Sequence, residues 1–146
     1  CELVTATVRS IRGAADDDSV LVVRHDSGVV SYLSASAVVG APGPRIRILG
    51  SKGALVINDL DPQEALLRAG KYPENGTWTY PTTSQAFIHR GDVIEEIASI
   101  PGNYGHFYKA VELAITTGAP WPVPNSDALL VASIIDQARE IGTRAY

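Results

Sequence analysis

Polar and apolar residues alternate along the first quarter of the chain, and this alternation predicts strands. Residues 2–12 place Val4, Ala6 and Val8 between polar positions, and residues 19–24 contain an unbroken aliphatic run. A His-Asp-Ser-Gly turn then leads into another apolar stretch over 29–37. Successive side chains of a strand point to opposite faces, so a period of two is typical of half-buried strands. The pattern predicts three strands, the last two joined by a tight turn.

Two further strand pairs are predicted in the middle of the chain. Residues 45–49 alternate basic and apolar side chains, and the apolar run resumes over 54–57 after a Gly-Ser-Lys-Gly turn. Residues 85–89 and 93–97 flank an Arg-Gly-Asp turn. The Gly-Ser-Lys-Gly sequence lacks the rest of the phosphate-binding loop pattern and precedes a strand instead of a helix. We therefore interpret the Gly-Ser-Lys-Gly and Arg-Gly-Asp sequences as ordinary turns.

A short helix is predicted over residues 61–70, between the two central hairpins. Asp61 suits the N-cap position and Pro62 the first helical position. Glu64 completes an Asp-x-x-Glu capping box, and Gly70 suits the end of the helix.

Two longer helices are predicted at the end of the chain. One spans 103–117, where Gly118 ends it, and the other begins at Asn125 or Ser126, either of which suits its N-cap. Each carries apolar residues three or four positions apart, the spacing of a buried helix face. These predicted stripes are Tyr104, Phe107, Tyr108, Val111, Ala114 and Ile115, and then Ala128, Val131, Ile134, Ile135, Ala138 and Ile141.

Strands followed by helices predict an α+β fold. We expect one domain over residues 1–146, with a largely antiparallel (mixed) open sheet that helices cover on one face. The strands also carry apolar residues on the other face, which should therefore meet another domain or a second copy of the chain.

Composition excludes several classes of protein. The net charge is −4 and no Lys/Arg cluster stands out, so no nucleic-acid partner is expected. No apolar stretch reaches the length of a membrane span. The single cysteine suits a reducing cytoplasm, and no methionine is present, which favours a chain cut from a longer product. The Asp16-Asp17-Asp18 run is predicted to be a solvated turn.

The sequence contains none of the motifs that carry common enzyme chemistry. It has no G-x-G-x-x-G, no G-x-S-x-G and no H-E-x-x-H, and His25, His89 and His106 are not at metal-ligand spacing. Neighbouring pairs such as His25-Asp26 point in different directions. No catalytic, cofactor-binding or metal-binding residue is therefore predicted within this chain.

Four short motifs follow one another along the chain. They are RIRILGSKG at 45–53, LDPQE at 60–64 with Leu67 and Gly70, PGNYGHFY at 101–108, and PVP at 122–124 with Asp127-Ala128 and Ile134-Ile135. In this order they resemble the C-terminal half of the glucose–fructose oxidoreductase/inositol dehydrogenase (Gfo/Idh/MocA) family, most of all its branch of NADP-dependent scyllo-inositol dehydrogenases. Asn58-Asp59 and Thr79 stand where relatives often have glycine, and these departures concern the substrate instead of the fold.

The resemblance implies a dihydrodipicolinate-reductase-like C-terminal domain of an NAD(P)-dependent dehydrogenase or reductase that acts on a sugar, cyclitol or related polyol. The family's cofactor loop and proton-transfer motifs belong to a preceding Rossmann domain and its junction, and they are absent from this chain. By itself the chain is therefore expected to bind no cofactor and to catalyse nothing. Its implied roles are to form one wall of the substrate cleft and to assemble a homodimer or higher homo-oligomer through the open sheet face.

Two other interpretations use the same scaffold. The chain would belong to a non-catalytic sensor or regulatory protein, or it would be a stand-alone dimerisation module. Intact lysine and Asp/His motifs upstream of Cys1 favour the enzyme, whereas their loss with a retained glycine-rich loop favours the sensor.

Ser34 and Ser36, placed by the sequence in the loop after the third strand, are the predicted substrate-binding residues at the lip of the cleft. Alanine at both positions should raise the KM for the polyol in the complete enzyme, because two hydroxyl partners are removed. Steady-state kinetics measures this, and unchanged kinetics would exclude both residues.

Overall fold

A computed structural model describes residues 1–59, 61–74, 78, 85–98, 100 and 102–142. The chain divides into two compact units, one formed by Cys1–Ala41 with Val123–Tyr146 and the other by Pro42–Pro122. Each unit is described by itself below.

The first unit contains a three-stranded antiparallel sheet in the order β1 (Glu2–Arg9), β2 (Asp18–Arg24) and β3 (Val30–Ser36). Gly28 makes the β2–β3 turn with a φ of 85°, a conformation that glycine adopts without steric cost. The three predicted strands are confirmed, although the first ends earlier than its pattern suggested.

A β-bulge in β1 changes the face on which Val4 lies. Leu3 pairs with Val23 and Thr5 with Val22, so the intervening Val4 has no partner in the ladder. An extra residue in one strand shifts the alternation of side chains. Val4 is consequently 44% exposed, and its predicted place on the buried face is wrong.

Helix α3 (Asn125–Gly142) packs on β1 through its smallest residues. Ala138 joins Ala6 and Val8 in the core of this unit, with Leu3 and Leu21 at its margin. A Cβ placed on Gly142 would lie 2.6 Å from the backbone nitrogen of Val8, so only glycine permits this approach. The helix and strand are thus in close contact along a narrow line.

The predicted apolar stripe of α3 is only partly buried. Ala138 is buried and Ile134 is half-buried, whereas Val131, Ile135 and Ile141 are exposed. The contact follows the small residues because a backbone can approach a strand closely only where side chains are short. The predicted caps are also displaced, because the helix already begins at Asn125 and the Pro124 carbonyl accepts the first amide hydrogen bonds.

The second unit contains a four-stranded antiparallel sheet whose order follows the sequence. Its strands are β4 (Ile46–Gly50), β5 (Gly53–Ile57), β6 (Ala86–Arg90) and β7 (Val93–Ile97). A Cβ on Gly53 would collide with the carbonyl oxygen of His89 on the neighbouring strand. The Gly-Ser-Lys-Gly turn therefore needs its last glycine for strand pairing, which confirms its interpretation as a turn.

Two helices complete the second unit, and their caps confirm the sequence signals. Helix α1 (Pro62–Arg68) has its N-cap at Asp61, and Gly70 follows it at a φ of 71°. Helix α2 (Tyr104–Thr117) ends at Gly118 in the left-handed conformation. The capping box forms only in part. Asp61 Oδ1 accepts from the backbone N–H of Gln63, whereas the Glu64 carboxylate accepts from Arg68, one turn later, at 2.6 Å.

The predicted apolar stripe of α2 is wrong as a buried face. Ala114 is buried and Val111 is half-buried, but Phe107, Tyr108 and Ile115 are exposed, the last by 69%. Phe107 and Tyr108 pack edge to face on each other, with ring centroids 5.6 Å apart. The helix thus presents apolar side chains that remain exposed next to the described elements of its own unit.

The predicted α+β fold with antiparallel strands is confirmed, with the strands divided between two sheets. The expectation of one domain over residues 1–146 stays a prediction. Within the described part of the chain, no helix combines the length and the apolar character needed to cross a membrane.

Candidate functional site

Among the residues of the second unit that the structure describes, Gln63 is the most completely enclosed polar side chain. It lies in the first turn of α1 and has no exposed surface. Its Nε2 donates to Asp61 Oδ2 at 2.9 Å. Its Oε1 accepts two hydrogen bonds, from Trp78 Nε1 at 2.8 Å and from the Tyr104 backbone nitrogen at 2.9 Å. The amide therefore joins three segments that are far apart in sequence.

The orientation of this amide follows from the chemistry of its neighbours. An indole N–H and a backbone N–H only donate, so they must face the amide oxygen. An ionised carboxylate only accepts, so it must face the amide nitrogen. Both halves of the Gln63 amide are committed, and rotating it by half a turn would oppose like groups on both sides.

The same contact caps α2. The first amides of a helix have no partner within the helix, and Tyr104 is the first residue of α2. Its N–H is satisfied by Gln63 from another helix, whereas the side-chain amide of the N-cap residue Asn103 contacts His106 instead, at 3.3 Å. Gln63 thus acts as an N-cap in trans.

Gly102 allows the two helix starts to come this close. A Cβ at this position would overlap the Asp61 carboxylate and the Gln63 amide. The contact between the start of α2 and the start of α1 therefore requires glycine at position 102. Two of the four motifs recognised in the sequence meet at this point.

A depression of about 290 Å³ opens beside this junction in the second unit. Its lining includes three carboxylates, one guanidinium, one phenol ring and two aliphatic side chains. The residues are Arg45, Ile46, Ile57, Asp59, Asp61, Glu64 and Tyr104. Asp61 and Tyr104 belong both to the depression and to the contacts of Gln63, so the amide fixes part of its wall.

The lining offers many hydrogen-bond acceptors and few donors. Carboxylates accept from hydroxyl groups, Arg45 donates, and the Tyr104 ring offers an apolar face. Among the described residues, no group of three or more His, Cys, Asp or Glu side chains is arranged to hold a metal ion. The depression therefore carries more acidic than basic side chains and more acceptors than donors.

Ser34 and Ser36 lie within β3 itself, so their predicted place in a loop after the third strand is wrong. Ser34 pairs with Val20 and Ser36 with Asp18 across the ladder. Directly paired residues share a face, and α3 packs on the opposite face, the one that carries Ala6 and Val8. Both serines therefore lie on the face that no described element of their own unit covers.

Ser36 is part of a polar network at the end of β2 and β3. Its hydroxyl hydrogen-bonds the Asp18 carboxylate, and this contact, followed by the hydrogen bond from Arg9, lowers the pKa of Asp18. Asp17 accepts from the backbone N–H of Ile11 at 2.7 Å and of Arg12 at 2.9 Å, and these bonds lower its pKa.

The three consecutive aspartates are thus paired and not simply solvated. Asp16 accepts from Arg139 of α3 at 2.8 Å, while Asp17 and Asp18 pair with Arg12 and Arg9. Charge-assisted contacts hold the β1–β2 loop in one conformation. The prediction of a solvated turn is therefore wrong, because the run supplies the acceptors that the loop needs.

Comparison with known proteins identifies the scaffold. Residues 2–140 match the profile described as oxidoreductase family, C-terminal alpha/beta domain, of the Gfo/Idh/MocA type. The chain belongs to the Gfo/Idh/MocA oxidoreductase family. It is 31% identical over 143 residues to the scyllo-inositol 2-dehydrogenase (NADP(+)) of Bacillus subtilis strain 168, which covers 94% of this chain and 40% of that protein.

Solved structures agree with this assignment. A candidate oxidoreductase from Bacteroides fragilis superposes with a TM-score of 0.78 at 30% identity, over 98% of this chain and 45% of the other. A candidate oxidoreductase from Bacillus subtilis gives a TM-score of 0.76 at 30% identity, over 97% and 42%. The chain spans less than half the length of each of these Gfo/Idh/MocA proteins.

Sequence reasoning missed Gln63, Trp78 and Tyr104 as a group. Gln63 was noted only as a letter of the LDPQE motif, and Tyr104 only within the PGNYGHFY motif and an apolar stripe. The available signal was the glutamine inside the Asp-x-x-Glu sequence, at a position whose side chain the capping box does not use. Tyr80 and the Asn75-Gly76-Thr77 sequon lie outside the described residues.

The aspartate network predicts acid sensitivity with a definite sign. The pKa values of Asp17 and Asp18 are lowered on folding. Both carboxylates therefore stabilise the fold at pH values above their ordinary pKa of 3.8. This stabilisation should be lost as the pH falls below that value through the folded-state pKa. Asp17→Asn should lower the urea midpoint at neutral pH and weaken its dependence on acid pH.

The matched control for this measurement is Asp92→Asn, in the exposed β6–β7 turn. It should change neither the urea midpoint nor its acid dependence. If Asp17→Asn keeps the wild-type dependence on pH, the Asp17 network does not stabilise this loop.

Proposed function

We propose that this chain is the C-terminal domain of an NAD(P)-dependent oxidoreductase that acts on a cyclitol, sugar or related polyol. The observation that carries the proposal is the match to an NADP(+)-dependent scyllo-inositol 2-dehydrogenase over 94% of the chain. That relative is more than twice as long as the matched part, so the proposal concerns the full-length protein. Family membership alone gives no substrate, since function depends on the residues of a site.

The division of labour follows from the chemistry of hydride transfer. The cofactor carries the hydride, and the protein positions the substrate carbon and excludes competing reactions. This chain has no glycine-rich dinucleotide motif. In the proposal the nucleotide binds to an N-terminal Rossmann domain, and the present chain supplies one wall of the polyol cleft. The cytoplasm, where NAD(P) is abundant, is the proposed location.

The proposal also gives the open face of the three-stranded sheet a partner, in a homodimer or higher homo-oligomer. Tyr32 is 79% exposed there, and Val20 and Val30 are exposed beside it. Contiguous exposed apolar residues are typical of interfaces between proteins. Ser34 lies on the same face. Substrate binding by Ser34 and burial of the face in a dimer would therefore compete for the same surface.

The direct test is turnover by the full-length protein. We expect purified full-length protein to reduce NADP+ or NAD+ in the presence of scyllo-inositol or a related polyol, with spectrophotometric detection at the nicotinamide absorbance. Each reaction without polyol is the control. Binding of nucleotide with no turnover across a panel of polyols would support the sensor, and absence of both nucleotide binding and turnover would contradict the oxidoreductase.

A further inference from the structure

We propose that Gln63 is a positioning residue that holds the first turn of α2 at the wall of the depression, where substrate binds, and that fixes Trp78 through the same amide oxygen. The inference deepens the proposed function and rests on it only where substrate is concerned. Its starting point is geometric: a single fully buried amide accepts from Trp78 and Tyr104 and donates to Asp61.

Each of these partners depends on Gln63 for one hydrogen bond. A buried donor or acceptor that loses its partner costs about 1–3 kcal/mol. Gln63 is fully buried, and its oxygen faces two donors at once. Removing the amide therefore leaves two N–H groups and one carboxylate oxygen without this hydrogen-bond partner. Separation of the segments is the least costly way to relieve that loss.

The link to substrate is that two of the partners line the depression. Asp61 and Tyr104 face the same space as Arg45, Asp59 and Glu64. Displacing the start of α2 moves the Tyr104 ring, and releasing Asp61 changes the direction of its carboxylate. A polyol whose hydroxyl groups meet these acceptors would lose contacts although none of the substituted atoms touches it.

The chemistry of the amide allows a substitution, Gln63→Glu, whose effect on hydrogen bonding can be reversed by a change of pH. In Gln63→Glu the new carboxyl group, when protonated, keeps an O–H donor for Asp61 and a carbonyl oxygen for the two N–H groups. When ionised, it opposes the Asp61 carboxylate. Burial and a neighbouring carboxylate both raise the pKa of such a group, so the two states should interconvert within an accessible pH range.

The first readout is the indole N–H cross-peak of Trp78 in the ¹H–¹⁵N spectrum of the full-length protein, assigned as the peak that Trp78→Phe removes. In Gln63→Glu we expect this peak to be displaced at about pH 8 and to return toward the wild-type position at about pH 5.5, as the raised carboxyl pKa is crossed. In Gln63→Leu the indole peak should be displaced at both pH values. Gln85→Glu, on an exposed glutamine of the same unit, should leave it unchanged.

The second readout is steady-state kinetics with scyllo-inositol and NADP+. At the higher pH, Gln63→Glu should raise the KM for scyllo-inositol about fivefold to thirtyfold relative to wild type, the loss of roughly one buried hydrogen bond. The KM for NADP+ should stay the same, and the effect should shrink toward the lower pH. A general loss of packing would not recover with protonation.

The outcomes separate this inference from the proposed function. An indole peak that does not respond to Gln63→Glu, or that responds without any change in the KM for scyllo-inositol, overturns the positioning role. If the wild-type protein turns over no polyol, the proposed function fails, and the indole peak still decides whether Gln63 holds Trp78.

Discussion

The side chain of Gln63 has no contact with water, so its amide must find every hydrogen-bond partner inside the protein. An enclosed amide is stable only when both its donor and acceptor halves are satisfied. Here the partners come from the N-cap of α1, the first residue of α2 and the ring of Trp78. One requirement of local chemistry thus fixes the relative position of three segments. It also explains why Gly102, which leaves room for the amide, precedes α2.

The first unit is held together by a different constraint, the close approach of a helix to a strand. Ala138 and Gly142 lie one turn apart on α3 and meet Ala6 and Val8 of β1. Short side chains bring the backbones together, and the larger aliphatic residues of the helix are left outside the contact. This arrangement leaves apolar surface exposed in a chain that spans less than half the length of the relatives it matches.

Much of the secondary structure could be predicted because it depends on local signals. Gly28, Gly70 and Gly118 adopt positive φ angles where turns or helix ends were predicted. The errors have tertiary causes. The bulge that exposes Val4 depends on pairing with β2, and the exposed residues of α2 depend on what packs against the helix. Neither can be determined from periodicity within one segment.

The candidate site was harder to predict for the same reason. Gln63 and Tyr104 are 41 positions apart, and their contact becomes visible only when both helix starts are placed. Ser36 was selected for its predicted place in a loop at the lip of the cleft, yet it lies within β3 and pairs with Asp18 across the ladder. The resemblance of the LDPQE and PGNY motifs to one family indicated the scaffold correctly. It did not show that these two motifs touch.

The central claim is that Gln63 caps α2 from another helix, and hydrogen exchange at the Tyr104 amide tests it most directly. The first amides of a helix are ordinarily open to solvent and exchange rapidly, because they have no partner within the helix. The Tyr104 amide of the full-length protein should be protected, and Gln63→Leu should remove this protection. A Tyr104 amide that exchanges as fast in the wild-type protein as in Gln63→Leu would contradict it.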